Sequence, residues 1–552
     1  MQDYRDFTPW PTSLATRYRQ LGFWQDKTLV DHFRQTASQC GEQVAMIDAK
    51  RQLTYQQAID EIERLAAGFR AHGIGANDNV IVQLPNCVEF YLSFYALLQI
   101  GARPIMALPA HRQRELSFFC QHADVKAMVI TEEAAGFDYL SLAKQLLDNQ
   151  PSLEHVFVCQ PQQELPVPYM GVHNFGDLYQ HGRTDNQDGQ ADHIAFFQLS
   201  GGTTGTPKLI PRTHNDYAYS VQASVDVCQW HTGTRYLCVL PAAHNYPLSS
   251  PGALGVFSVG GCVVLSQDAS ANTAFSLIEQ YRITDCALVP SIALLWLEAQ
   301  KRNQCDLSSL SLIQVGGQKL SANVAAQIPQ AFACQLQQVF GMAEGLVNYT
   351  RLDDPLETII HTQGRAMSSA DEVRVVDEQG NDVPLGQEGY LITQGPYTIR
   401  GYYRAPEHNQ RAFTDDGFYR TGDLVKMDAA GNLMVTGRDK DQINRGGEKI
   451  AAEEIENYLL AHPAIFDAAL VAIADPYLGE RSLAVVVLKE GQTLSAIGVK
   501  RCVRDMGVAD YKIPDKVVFC DALPMTPVGK VDKKALRTQF APNAHQAATP
   551  VE

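Results

Sequence analysis

Several things are scarce in this 552-residue chain. No apolar run approaches the roughly 20 residues that a membrane-spanning helix needs. The longest, FYLSFYALLQIGA, is shorter, amphipathic and broken at Gly101, and reads as a core helix. The 12 cysteines are scattered and never spaced C-x-x-C, which excludes zinc and dithiol motifs and fits buried apolar residues of a reducing cytoplasm. Positive charge is short: 45 Lys+Arg against 61 Asp+Glu leaves −16, the wrong sign for a nucleic-acid binder. The N-terminus MQDYRDFTPWPTSLATRYRQ is polar and charged, neither a signal nor a transit peptide. A cytoplasmic protein with neither nucleic acid nor membrane as partner is the expectation.

What is present exceeds one hydrophobic core, so two or more domains are expected. From Arg438 onward there are 15 Lys+Arg and 16 Asp+Glu, a net of −1; the remainder holds 30 and 45, a net of −15. The last segment is therefore a different electrostatic object. Upstream, Thr54-Tyr55-Gln56-Gln57 reads as a capping box opening a helix that carries Ile59, Ile62, Leu65, Ala66 and Phe69. NVIVQLPN reads as strand, VEFYLSFYALLQ as helix and ARPIMAL as strand. LCVLPAA, CVVLSQ, CALVPS and SLIQVGG repeat the theme between helical segments. That order predicts α/β architecture with parallel sheets covered by helices. Near residue 370, DEVRVVDEQGNDVPLGQEGYLITQG predicts a small β subdomain. The expected division is a large N-terminal domain over 1–437, a small mobile α+β domain over 438–540, and a disordered tail over 541–552. Residues 130–190 suggest no function.

The stretch LSGGTTGTPKLIPRTHNDY (199–217) concentrates glycine, hydroxyls and one lysine. Ser200, Gly201, Gly202, Thr203, Thr204, Gly205 and Thr206 offer close backbone approach and hydroxyl donors, and Lys208 adds a point charge. Those are the means of holding phosphate. It is not a Walker A loop, because Thr206 and Pro207 separate Gly205 from Lys208 and Leu209 follows. An ordinary surface loop is the bland alternative; the strand-like Phe196-Phe197-Gln198-Leu199 before it favours phosphate.

The run resembles the phosphate loop of the adenylate-forming superfamily, which includes acyl-CoA synthetases, luciferases and the adenylation domains of nonribosomal peptide synthetases. Four further motifs follow in the family's order. QVFGMAEG (338–345) resembles its Tyr-Gly-x-Thr-Glu motif, with Phe340 and Ala343 as departures. YRTGDL (419–424) is similar to the ribose motif, GRDKDQINRGGEKIAAEEIE (437–456) to the hinge and thiolation loop, and PMTPVGKVDK (524–533) to the C-terminal lysine motif. The resemblance spans about residues 30–540.

Taken alone, Glu344 is a solvated turn residue, Asp423 a cap and Lys530 a surface lysine. The resemblance implies more. ATP would lie against the loop, Gly316-Gly317-Gln318 and Phe340-Gly341-Met342-Ala343. Asp423, partnered by Arg438, would take the ribose, and Glu344 would be linked to Mg²⁺. Lys530 would reach the carboxylate and α-phosphate oxygens. Asp439 would be the hinge, and Lys449 would face the site during thiol transfer.

HNYPLSSPG (244–252) bears on the acid. Amino-acid-activating relatives usually carry an aspartate where Asn245 falls; a neutral residue denies an α-ammonium its partner. The stretch resembles the freestanding 2,3-dihydroxybenzoate–AMP ligases of siderophore pathways. That implies His244 and Tyr246 beside the carboxylate and ring, Asn245 and Ser250 on the ring hydroxyls, and Val339 and Val347 against the ring. A polar loop with a Pro-bounded turn is the plain alternative, and salicylate or an aryl-CoA product the neighbouring activities. No carrier segment occurs in the chain, so the resemblance implies a separate aryl carrier protein with a phosphopantetheine arm. The basic segment DKVVF…GKVDKKALR is a docking candidate, with solvated lysines the equal alternative.

Overall fold

The computed structural model describes residues 6–159, 169–199, 208–438, 442–445, 448–475, 478–506, 508, 510–527 and 529–540. Capping chemistry opens its helices. The Thr54 hydroxyl accepts the Gln57 N–H while Gln57 Oε1 accepts the Thr54 N–H, which starts the helix Tyr55–Ala71. The same reciprocal cap, Thr213 with Asp216, starts the helix His214–Cys228.

Two mostly parallel sheets organise the first 366 residues, and the fold is α/β as expected. The seven-stranded sheet runs Leu209–Thr213, Ile194–Leu199, Arg103–Met106, Asn79–Gln83, Val125–Thr131, His155–Cys159, Val172–Asn174. Only its first pair is antiparallel. The nine-stranded sheet has Arg235–Cys238, Cys262–Leu265, Asp285–Leu288, Leu312–Gly316 and Gln335–Gly341 in parallel at its centre, and antiparallel strands at both ends. Their C-terminal ends aim the chain into the loops that carry the candidate site residues.

The helix Val88–Gln99 differs from the amphipathic segment the sequence implied: all 12 of its residues are buried. Phe94 meets Phe196 of one sheet edge-on at 5.3 Å, and Tyr91 meets Phe257 at 5.3 Å, so apolar neighbours enclose it on every side. The cysteines are all free thiols; six are buried and six half-buried, so burial accounts for only half of them.

A four-stranded antiparallel sheet, Glu372–Val376, Gly389–Gln394, Tyr419–Met427 and Leu433–Arg438, forms the β patch. A five-stranded sheet follows, built on the long pair Ile465–Asp475 and Gly479–Leu488. The helices Ala452–Leu460 and Ala496–Asp505 cover one face and Lys533–Phe540 the other. The hairpin Gln442–Arg445/Glu448–Ala451, the strand Lys516–Phe519 and that last helix were not expected. The expected tail lies outside the described residues. Among the described residues no helix is long and apolar enough to cross a membrane.

Candidate active site

The strands Ile194–Leu199 and Leu209–Thr213 are antiparallel neighbours with Leu199 opposite Leu209. The glycine–threonine segment is thus a connection between paired strands; Ser200 through Thr206 themselves lie outside the described residues. Its exit delivers Lys208, half-buried, with Nζ 5.8 Å from the centre of the Tyr402 ring. The Tyr402 hydroxyl donates to Glu344 Oε1 at 2.7 Å and meets the Tyr419 hydroxyl at 3.0 Å. Burial and the neighbouring Glu344 push the Tyr402 phenol far up, so it stays a donor. Glu344 is therefore a buried carboxylate held through one oxygen.

The turn that carries it is gripped from two sides. The Gly345 N–H donates to Met342 O at 3.2 Å and the Ile399 N–H to Glu344 O at 2.8 Å. Arg212, itself buried, donates Nη1 to Ala343 O at 2.6 Å and Nη2 to Tyr397 O at 3.0 Å, and pairs with Asp216 at 2.5 Å.

A cavity of about 250 Å³ opens between the large sheets and the C-terminal unit. Gly317, Gln318, Val339, Phe340, Gly341, Asp423 and Lys530 all line it. Asp423 is buried, gives its N–H to Thr421 Oγ1 at 3.0 Å, and lies directly across the strand pair from Arg438, whose side chain is outside the described residues. Lys530 arrives on a tight turn: Thr526 N–H donates to Lys530 O at 2.6 Å, and Lys530 N–H to Thr526 Oγ1 at 3.1 Å. Ser291 docks that turn by donating to Gly529 O at 3.0 Å. Gly317 has φ +82°, and a Cβ there would sit 3.8 Å from Lys530 Cε and 3.3 Å from Val289 Cγ1. The lysine stem thus passes over a position that has no side chain.

On the acid side, His244 caps the short helix Asn245–Ser249, its Nδ1 accepting the Tyr246 N–H at 3.3 Å. Burial, with the Lys530 charge nearby, lowers its imidazole to about 4. The ring is neutral and its proton resides on Nε2. The Tyr246 ring packs on Gly316 and Val339: a Cβ at Gly316 would lie 3.1 Å from Tyr246 Cζ and 3.2 Å from Val339 Cβ. Val347 faces Gly341 across the strand pair, and Ser250 is buried where the short helix ends. Asn245 Oδ1 accepts from Tyr217 at 2.8 Å.

Two expected residues are not brought to this cluster by anything described. Asp439 lies outside the described residues. Lys449 sits in the strand Glu448–Ala451, its backbone opposite Asn444, and its side chain is not described. Of the basic docking segment, Lys533 is only 17% exposed and pairs with Glu456 at 2.9 Å, so it is turned inward and is not a solvated surface charge.

The sequence reading missed Arg212, Tyr217, Tyr402, Lys319 and Glu453. Lys319 donates to Val435 O at 2.6 Å and, with Glu453, lines the same cavity. A signal existed for the first two: T-H-N-D at 213–216 is a capping box, and Arg212 and Tyr217 flank it.

This is the architecture of a nucleotide-using ligase, and comparison with known proteins places it. The AMP-binding enzyme family matches residues 33–403, and the AMP-binding enzyme C-terminal domain matches residues 454–530. The chain belongs to the AMP-binding enzyme family. Over 537 residues it is 59% identical to the vibriobactin-specific 2,3-dihydroxybenzoate-AMP ligase of Vibrio cholerae, covering 97% of this chain and 98% of the relative. Over 533 residues it is 50% identical to the 2,3-dihydroxybenzoate-AMP ligase of Bacillus subtilis, covering 97% of each. The apo structure of Mycobacterium smegmatis MbtA superposes with a TM-score of 0.75 at 42% identity, covering 98% of this chain and 100% of that one.

Proposed function

We propose that this chain condenses an aryl carboxylic acid, 2,3-dihydroxybenzoate, with ATP to give the aryl-adenylate and pyrophosphate. It then passes the aryl group to the phosphopantetheine thiol of a separate aryl carrier protein in siderophore biosynthesis. The observation that carries this reading is the meeting of Lys530 with Gly317, Val339–Gly341 and Asp423 in one cavity, with His244 near enough to feel the Lys530 charge. The two ligase relatives support the choice of acid.

The chemistry follows from the groups present. The acid is ionised at neutral pH, so its carboxylate oxygen attacks the α-phosphorus without a general base. The bond to the bridging oxygen breaks, and its electron pair leaves on pyrophosphate. The residues need only position the reactants and neutralise charge. Lys530 supplies a cation beside His244, and neutral His244 offers an N–H donor. Asp423 is placed as acceptor for ribose hydroxyls, and Lys208 as counter-charge for phosphate. The buried carboxylate of Glu344, with one oxygen held by Tyr402, suits a hard dication; Mg²⁺ there would neutralise phosphate charge.

For the second half-reaction the small unit, 438–540, would turn about Asp439 and bring Lys449 towards the site, withdrawing Lys530. That division of labour is part of the proposal. ATP–pyrophosphate exchange with 2,3-dihydroxybenzoate, salicylate, benzoate and phenylalanine tests the first step. Strong exchange with the dihydroxy acid and none with phenylalanine is expected. Exchange confined to phenylalanine or to benzoate would discard the acid assignment. Loading of a carrier protein, compared with AMP release driven by free coenzyme A, tests the acceptor.

A further inference from the structure

Asn245 has two faces to offer a ligand, an oxygen that accepts and an NH₂ that donates, and its surroundings choose between them. Tyr217 is fully buried on the helix His214–Cys228, and its hydroxyl donates to Asn245 Oδ1 at 2.8 Å. Ser249 Oγ lies 3.4 Å from the same oxygen. The Tyr217 ring cannot swing away: Phe196 meets it edge-on at 4.7 Å, and the Arg212 guanidinium carbon lies 4.8 Å from its centre. Burial pushes its phenol far up, so it remains a neutral O–H donor at any working pH. An amide oxygen has two acceptor positions; Tyr217 takes one and the Ser249 hydroxyl is directed at the other, so the two N–H groups are what Asn245 has left to give. His244 likewise has Nδ1 engaged by the Tyr246 N–H and a proton on Nε2. Both side chains at this corner are donors.

We infer that Tyr217 sets the chemical class of the acid's 2-substituent: by fixing Asn245 as a donor, it admits acids with an acceptor oxygen at that position and rejects those with an amino group. This rests on the proposed reading of Asn245 and Ser250 as the ring-hydroxyl contacts, with Ser250 taking the 3-hydroxyl and Asn245 the 2-hydroxyl. A 2-hydroxyl or phenolate oxygen accepts from the amide. The nearly isosteric 2-amino group does not, because its lone pair is delocalised into the ring and its own N–H groups would face those of Asn245. A buried donor left unpaired is what a selective site uses for rejection. Tyr217 acts through Asn245 and is a positioning residue.

The test uses the full chain, wild type and Tyr217→Phe, in ATP–pyrophosphate exchange with 2,3-dihydroxybenzoate, salicylate and 2-aminobenzoate. Wild type is expected to prefer salicylate over 2-aminobenzoate by about 10³-fold or more in kcat/KM. Tyr217→Phe frees the amide to turn, and the preference should narrow by about tenfold or more, mostly through improved use of the amino acid analogue. A general structural defect would lower both activities and leave their ratio unchanged, which overturns the inference. Calorimetric binding of salicylate and 2-aminobenzoate to wild type needs no variant, and equal affinity overturns it as well. No exchange with any 2-hydroxy acid would overturn the aryl-acid reading and this inference together. Exchange with 2-hydroxy acids at unchanged selectivity in Tyr217→Phe overturns this inference alone.

Discussion

Arg212 is the side chain whose loss the structure prices most clearly. It is 1% exposed, and its partner Asp216 is fully buried. Nε and Nη2 both reach Asp216 Oδ1, at 2.7 and 2.5 Å, while Nη1 donates to Ala343 O and Nη2 also to Tyr397 O. Arg212→Met keeps most of the stem volume but leaves a buried carboxylate with only Thr213 to satisfy it. Removing one partner of a buried pair typically costs about 3–5 kcal/mol. Removing both charges costs less, since no uncompensated ion remains. Arg212→Met/Asp216→Asn should therefore recover a large part of the loss. All four tryptophans, Trp10, Trp24, Trp230 and Trp296, precede residue 300, so their fluorescence in a urea titration reports the unit that holds the pair. A multidomain chain need not unfold in one step, so the comparison is of this transition's midpoint at constant slope. Arg212 also holds the carbonyl beside Glu344, so exchange activity should fall in Arg212→Met at temperatures where it stays folded. A midpoint shift that, multiplied by the common slope, amounts to under about 0.5 kcal/mol for Arg212→Met, or equal losses for the single and double variants, would refute the argument.

Three further outcomes are expected. Lys530→Ala should lower adenylate formation by about 10²–10³-fold, the usual cost of one charge-stabilising donor, while the urea midpoint stays put because the lysine is only half-buried. Gly317→Ala puts a Cβ at φ +82°, straining the backbone by about 1–2 kcal/mol and crowding Val289 and the Lys530 stem; exchange should drop, and wild-type stability with wild-type activity would contradict the geometry. Burial, reinforced by Glu456 and Asp423 and opposed by Lys319 and Lys533, raises Glu453 to about 7 from 4.5. The native state then holds a proton that the unfolded chain has released, so this group's contribution to stability falls as pH rises from about 4.5 to about 7. Glu453→Gln should remove that slope, its advantage over wild type growing across the same window; a constant difference would count against it.

The division between what the sequence disclosed and what it hid follows the range of the interactions. Strands such as Asn79–Gln83 and Leu312–Gly316 are short apolar runs between turn residues, and the cap at Thr54 is a four-residue pattern, so both are legible locally. The return strand Leu209–Thr213 was not, because Pro211 reads as a breaker; it is tolerated there because the strand lies at the sheet edge. The helix Val88–Gln99 is the core helix expected, but not an amphipathic one, because periodicity cannot tell one apolar face from complete enclosure when Ser93 and Gln99 are buried too. The site is the extreme case. Gly529 meets Ser291 and Lys530 meets Gly317 across more than 200 residues, and Arg212 meets Ala343 across 131. No spacing rule reaches that far, so those candidates rested on ordered motifs resembling a family. The motifs in turn pointed at groups proposed here to touch ligands. They were silent about Arg212, Tyr217 and Tyr402, whose described contacts are with the protein groups that hold Glu344 and Asn245 in place. A site read from motifs alone therefore contains its contacts but not its preferences. The choice between a donor and an acceptor at Asn245 is made on a different helix, by a hydroxyl 28 residues upstream.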